Sequence, residues 1–145
     1  MNRKEKAIDL FSQQFNCSQA IFAAYCNKDV LDEANALKIA TVFGAGTACT
    51  GCELCGALAG GLMALSLRYG RSDLQSLDAK EKTYALGKRL LHEFTAQMGA
   101  SRCEEILGLN ISTPENLARA KESKLFETRC LEAVKTTAEI LEKML

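Results

Sequence analysis

Four cysteines share one local setting, because each lies where the sequence predicts the start of a helix. Cys17 follows a break at Asn16, Cys55 opens an apolar helix, Cys103 follows a predicted cap, and Cys130 falls in the opening part of the last helix. Unpaired N–H groups and the positive end of the helix dipole stabilise an anion at such positions. That setting lowers the pKa of a thiol and favours the thiolate, which binds metals and attacks disulfides. If the helices pack around one point, these four thiols form a candidate metal or redox site.

A second pattern is the C-x-x-C-x-x-C run formed by Cys49, Cys52 and Cys55. It begins like the bacterial ferredoxin motif, but it lacks the further cysteine and proline that complete that motif. The pair Cys52 and Cys55, leading into a helix, is also the layout of a dithiol redox site. The βαβ surroundings typical of thioredoxin-like proteins are missing. Zinc is favoured less, because structural zinc sites usually draw on two closely spaced pairs, although Cys49 and Cys52 remain alternative metal ligands.

Three glycines, Gly56, Gly60 and Gly61, follow Cys55 within six residues. Each glycine inside a helix costs about 1 kcal/mol relative to alanine. Their presence therefore indicates that space is kept free at these positions, either for a bulky cofactor or for another backbone that passes close. Packing of small residues between helices is an equally good explanation. Gly56 and Gly60 are accordingly predicted close-approach positions beside the candidate site.

Other reactive side chains are interpreted more simply. Cys26 lies near the end of the second predicted helix, and we expect it to pack in the core. The single histidine, His92, lies at the edge of a helix face or opposite its apolar stripe, and we expect a solvated side chain. No Ser-His-Asp set, paired carboxylates or phosphate-binding glycine loop is evident.

Helical periodicity extends over almost the whole sequence, and no alternating pattern is long enough to predict a strand. Ile8, Phe11 and Phe15 lie on one face of the first predicted helix. The pattern predicts an all-α fold, a single-domain bundle of about six or seven helices over residues 1–145. Helix starts are predicted from caps at Asn16 or Ser18, at Asp32, at the capping boxes Asp78–Glu81 and Ser101–Glu104, and at Thr113-Pro114.

The length, the charge balance and the composition of the chain limit the classes of function. A chain of 145 residues can bury a sufficient core without disulfides, so folding does not require its seven cysteines. Eighteen basic and eighteen acidic residues argue against nucleic acid or an anionic membrane as the main partner. The longest apolar stretch, 55–67, is shorter than the about 20 residues that span a bilayer, and no secretory signal pattern follows Met1. We therefore expect a cytoplasmic protein, in whose reducing surroundings an odd number of cysteines indicates metal or redox chemistry.

At these residues the chain resembles a bacterial and archaeal family of redox-active proteins that is named for a C-GCAxxG-C-C cysteine pattern. The resemblance covers essentially the whole chain. The matching segments are Phe15-Asn16-Cys17-Ser18-Gln19-Ala20, Phe43-Gly44-Ala45-Gly46, Cys55-Gly56-Ala57-Leu58-Ala59-Gly60, Cys103-Glu104-Glu105-Ile106-Leu107-Gly108 and Cys130. One departure is that the family label has G-C-A at its core where this chain has Cys55-Gly56-Ala57. The letters also fit the segment 51–56, with Cys52 as the core cysteine and glutamate in place of alanine.

The resemblance implies a functional set of Cys17, Cys55, Cys103 and Cys130, which is also the set found at the predicted helix starts. Our main hypothesis is an iron–sulfur cluster held by these four thiolates in an electron-transfer protein that serves a redox partner protein. A metal-free thiol–disulfide oxidoreductase, using Cys52 and Cys55 or a pair from the four, is the first alternative. A structural or sensory zinc site with four cysteine ligands is the second.

Overall fold

Eight α-helices make up the fold in a computed structural model that describes all residues 1–145. They are α1 Arg3–Ser12, α2 Cys17–Tyr25, α3 Glu33–Ala40, α4 Gly56–Tyr69, α5 Leu77–Met98, α6 Cys103–Leu107, α7 Pro114–Glu122 and α8 Leu131–Glu142. A 3₁₀ turn, Thr41–Phe43, follows α3, and a π-helical turn, Phe126–Cys130, leads into α8. The predicted all-α class is confirmed. Eight helices form where about six or seven were expected, and the two short helices between α5 and the π turn are among those whose starts the sequence predicts.

Three predicted caps are confirmed. The Asn16 side chain accepts a hydrogen bond from the Gln19 N–H (2.9 Å), and the Gln19 side chain accepts one from the Asn16 N–H (3.1 Å). Asp32 caps α3 by accepting from the backbone of Asn35, and Thr113 caps α7 with proline at the first helical position. Side-chain oxygens at these positions satisfy N–H groups that have no partner inside the helix.

The two predicted capping boxes, Asp78–Glu81 and Ser101–Glu104, are wrong. Helix α5 begins at Leu77, one residue before Asp78, because Asp73 accepts hydrogen bonds from the N–H groups of Gln75 and Ser76 and sets the preceding turn. Helix α6 begins at Cys103 after an uncapped Arg102. Its first N–H groups donate to backbone carbonyls of the segment 51–53 (2.8 and 2.9 Å), so no side-chain cap is needed.

Helix α2 lies at the centre of the core, with every residue except Gln19 buried. It contacts α1, α3, α4 and α8, which explains why it is apolar on all sides. A Cβ atom at Gly60 would lie 2.7 Å from the Ser18 carbonyl oxygen, and one at Gly61 would lie 3.0 Å from Leu90 and Thr137 side-chain atoms. Gly60 and Gly61 therefore serve close helix packing, which was one of the two explanations open from the sequence.

Helix α1 turns two faces toward the protein. Ala7 and Leu10 are buried in the core, whereas Ile8 and Phe11 of the predicted apolar face are only partly buried. Phe15 lies beyond the end of α1 and is also partly covered. The predicted face thus borders a cavity that is described below. No helix in the structure combines the length and the apolar character needed to cross a membrane.

Candidate functional site

One cavity of about 800 Å³ brings together four of the seven cysteines. Its lining includes Cys17, Cys55, Cys103 and Cys130, which come from four separate parts of the chain. The first three are buried and Cys130 is half-buried, and none is in a disulfide. The structure therefore gathers the four residues that the sequence singled out.

The first two thiols are brought together by a glycine. Cys17 is the first residue of α2, and Cys55 immediately precedes α4. A Cβ atom at Gly56 would lie 2.3 Å from the Cys17 sulfur and 3.0 Å from the Gly44 Cα atom. Any side chain at position 56 would displace the thiol or the neighbouring backbone. Gly56 is thus a close-approach position of the site itself, as predicted, and it lines the cavity.

The loop before α4 has an unusual backbone. Five consecutive residues have positive φ angles, although only one of them is glycine: Ala45 (53°), Gly46 (69°), Thr47 (66°), Ala48 (52°) and Cys49 (58°). Such a conformation costs roughly 1–2 kcal/mol for each residue with a side chain. Hydrogen bonds hold it in place, including one from the Thr50 hydroxyl to the Gly46 carbonyl (2.7 Å). Backbone strain of this kind persists where the surroundings impose it, commonly at functional sites.

Backbone hydrogen bonds also fix the position of Cys55 relative to Cys103. The Cys55 N–H donates to the Ser101 carbonyl (2.8 Å), and the Cys103 N–H donates to the Glu53 carbonyl (2.9 Å). These bonds flank the isolated antiparallel bridge between Leu54 and Arg102. The bridge ties the segment before α4 to the segment before α6, and so fixes the spacing of two thiols that are distant in sequence.

Cys130 is positioned differently from the sequence prediction. It does not lie inside the opening of α8 but ends the π-helical turn just before it, with helical φ and ψ angles. The neighbouring Arg129 anchors this turn by donating to the carbonyls of Ile106 (3.0 Å) and Met98 (3.4 Å). π-Helical turns are rare and frequent at functional sites. Sequence reasoning missed both the turn and Arg129, since hydrophobic periodicity carries no signal for either.

The expected lowering of the thiol pKa values is wrong, because burial outweighs the helix-start effect. Burial raises the pKa of all four thiols, and it raises the pKa of Cys103 to about 12. The charge that Cys17 would carry as a thiolate raises the pKa of the other three further, which places the sulfurs within electrostatic reach of one another. Without a cation, the site therefore holds neutral thiols.

Backbone N–H groups oppose the rise in pKa at two of the thiols. Those of Ala45, Ser18 and Ala57 lower the pKa of Cys17, and those of Ala57 and Leu58 lower the pKa of Cys55. The groups around Cys17 come from α2, from the left-handed loop and from the first turn of α4. The helix-start stabilisation predicted from the sequence is thus present at Cys17 and Cys55, but it is smaller than the burial effect.

A family model described as "Putative redox-active protein (C_GCAxxG_C_C)" matches residues 15–144. The chain belongs to this redox-active family. No curated protein and no solved structure is significantly similar to it.

Within this redox-active family member, the cysteines outside the cavity have separate surroundings. Cys52 is half-buried, and its sulfur accepts a hydrogen bond from the Asn110 side-chain amide (3.3 Å), while Cys49 is exposed. Cys26 is buried, and its thiol donates to the Ala23 carbonyl (3.5 Å). Of the two candidate core cysteines of the family pattern, Cys55 lines the cavity and Cys52 does not.

The donor set of the redox-active protein is rich in thiols. No group of three or more His, Cys, Asp or Glu side chains is placed to hold one metal ion. The one histidine, His92, is exposed on α5. The four sulfurs share one cavity without forming a ready-made site for a single ion.

Proposed function

We propose that this redox-active protein binds an iron–sulfur cluster through Cys17, Cys55, Cys103 and Cys130 and acts in electron transfer. The observation that carries the proposal is the single cavity lined by these four thiols and by none of the other cysteines. Four cysteine thiolates are the ligand number of both two-iron and four-iron clusters. A bound cluster would supply one-electron chemistry, and a redox partner protein would exchange the electron.

The residues around the thiols fit this role. The N–H groups of Ala45, Ser18 and Ala57 act on the Cys17 sulfur, so they would stabilise its negative charge as a ligand. Hydrogen bonds to ligand sulfurs and exclusion of solvent are two of the means by which proteins set a cluster's potential. The raised thiol pKa values mean that each ligand must release a proton on binding, so we expect cluster loading to improve with increasing pH.

The two alternatives receive less support from the same geometry. A zinc ion needs four sulfurs at about 2.3 Å from one centre, and no such grouping is present. A dithiol exchange reaction needs an attacking thiolate, but burial raises the pKa of Cys55 well above its ordinary value. Its predicted partner, Cys52, lies outside the cavity.

The test is an absorption spectrum of protein that has been purified without oxygen and reconstituted with iron and sulfide. We expect broad bands in the visible region that bleach with dithionite. Serine substitutions C17S, C55S, C103S and C130S should each reduce or abolish these bands. C26S and C49S are the matched controls, because their sulfurs do not line the cavity, and they should load like the unmodified chain.

A protein that stays colourless after reconstitution would overturn the proposal. In that case, tight stoichiometric zinc without a redox titration would select the zinc site. Dithiol oxidation that persists after complete removal of metal would select the thiol–disulfide enzyme.

A further inference from the structure

The thiol cavity also has an outer part that lies between the buried thiols and solvent. We propose that it binds an organic anion with an apolar body of about the size of two fused aromatic rings, alongside the four thiols. This inference goes beyond electron transfer and does not depend on which metal group the thiols hold. It rests on the depth, the walls and the charge of the cavity.

The exposure of the lining residues gives the cavity a floor and a mouth. Cys17, Cys55 and Cys103 are each at most 8% exposed and form the floor. Lys121 and Lys124, at the end of α7 and in the turn after it, are exposed and form part of the mouth. A ligand entering from solvent therefore passes the lysines before it reaches the thiols.

The walls between floor and mouth are apolar and incompletely covered. Ile8, Phe11, Phe15 and Phe126 all line the cavity, and all are only partly buried. The first three are the residues that the sequence predicted to share one face of the first helix. Phe11 and Phe15 pack against the main core on one side. Their remaining apolar surface faces the cavity, where a bound molecule would remove it from water. Aromatic side chains in such walls suit a flat, apolar ligand.

The charge at the mouth selects an anion. Lys121 and Lys124 make no ion pair in the structure, and neither does the nearby Glu127, although ion pairs form elsewhere on the surface. Two free ammonium groups against one carboxylate leave a net positive mouth. A carboxylate on the ligand would lie there, with the apolar body pointing inward.

The volume leaves room for both occupants. Pockets of about 300–1,000 Å³ enclose most of the surface of a drug-sized molecule, and this cavity measures about 800 Å³. A four-iron cluster contains only eight inorganic atoms and would be held at the floor by the thiols. The remaining space borders the aromatic walls and the mouth.

The experiment is calorimetric titration of the reduced chain at low ionic strength with 2-naphthoate and with its neutral analogue, 2-naphthamide. It is run on cluster-free and on reconstituted protein, so that failure of cluster binding and failure of ligand binding are seen separately. We expect one naphthoate per chain in both forms. The double variant K121Q/K124Q should weaken naphthoate binding about fivefold and leave naphthamide binding unchanged.

The matched control is K88Q/K143Q, which removes the same charge from two lysines that neither line the cavity nor form ion pairs. It should leave the binding of both probes unchanged. Naphthoate should also slow alkylation of Cys130 by iodoacetamide but not that of exposed Cys49. Absence of binding, several molecules per chain, equal loss in both double variants, or exclusion of naphthoate by the cluster would each overturn the inference.

Discussion

At the scale of single residues, the site depends on what surrounds each thiol more than on the thiols themselves. Cys26 and Cys17 are both buried at the two ends of α2, yet only Cys17 faces the cavity. The difference comes from the residues that surround Cys17. Gly56 allows α4 to approach the Cys17 sulfur, and the left-handed Ala45 presents its N–H group to the same atom. Position 56 should therefore be as sensitive to substitution as a ligand.

We expect Gly56→Ala to lower the free energy of unfolding by about 1–3 kcal/mol, because the new Cβ atom would lie 2.3 Å from the Cys17 sulfur. The same change at Gly87, another helical glycine, meets only the Leu62 side chain at 3.4 Å. Gly87→Ala should be neutral or should stabilise the protein by up to about 1 kcal/mol through helix propensity. Urea unfolding of both variants measures the difference. Equal effects at the two positions would contradict the close approach.

At the scale of the elements, the site is assembled from helix starts, a strained loop and a π turn, and each is fixed by bonds to a distant segment. Tyr25 at the end of α2 donates a hydrogen bond to the Glu142 carboxylate (2.8 Å), which ties α2 to the end of α8. Arg129 ties the π turn to the ends of α5 and α6. Neither contact involves a thiol, but both set the relative positions of elements that carry thiols.

Tyr25→Phe should lower the free energy of unfolding by about 1 kcal/mol near neutral pH, because it removes a hydrogen bond from a buried hydroxyl. Burial and the Glu142 carboxylate raise the pKa of Tyr25 above its ordinary value of 10. The unfolded chain therefore ionises first, so the stabilisation is complete below about pH 10 and is lost as the pH rises above it.

The variant Y25F should lack the part of the stability loss at alkaline pH that the Tyr25 hydroxyl causes. Urea unfolding from about pH 7 to pH 11 measures it. Tyr84→Phe is the control, since Tyr84 is 62% exposed and its hydroxyl makes no hydrogen bond within the chain. If the unmodified protein and Y25F lose stability in parallel above pH 10, the buried hydroxyl does not control this pH dependence.

Arg129→Ala should destabilise the protein by about 1–3 kcal/mol, because the carbonyls of Ile106 and Met98 lose a charged donor. It should also loosen the π turn, so that iodoacetamide alkylates Cys130 faster relative to Cys55, as measured by mass spectrometry. Arg119→Ala, which removes a surface arginine without a side-chain bond, should change neither quantity. An unchanged ratio of Cys130 to Cys55 alkylation in R129A would show that the π turn keeps its shape without the Arg129 side chain.

At the scale of the whole molecule, the sequence predicts the helices and singles out four thiols that line one cavity, but it does not predict the space between them. Asn16, Asp32 and Thr113 cap helices as predicted, since a side-chain cap is a local bond. The left-handed loop and the π turn depend on carbonyls and side chains far along the chain, so local patterns cannot reveal them. For the same reason burial reversed the predicted direction of the thiol pKa values, because exposure is a property of the folded molecule.

The four proposed ligands come from segments more than 20 residues apart in sequence, so a bound cluster would link them. A ligand that binds only the folded state stabilises it by an amount that grows with its occupancy. Cluster removal should therefore lower the melting temperature. It should also increase backbone hydrogen exchange in the loop 44–55 and in the π turn Phe126–Cys130, which hold the thiols through few helical bonds of their own.

The first half of α5 provides the internal reference for this experiment. Its only buried residues, Leu90, Phe94 and Met98, lie in the second half, and none of α5 lines the cavity. Hydrogen exchange there should be the same with and without the cluster, and C26S should behave like the unmodified chain throughout. Protection that rises uniformly over all helices would mean that loading acts only through global stability, and that the loop and the π turn are already rigid without a ligand.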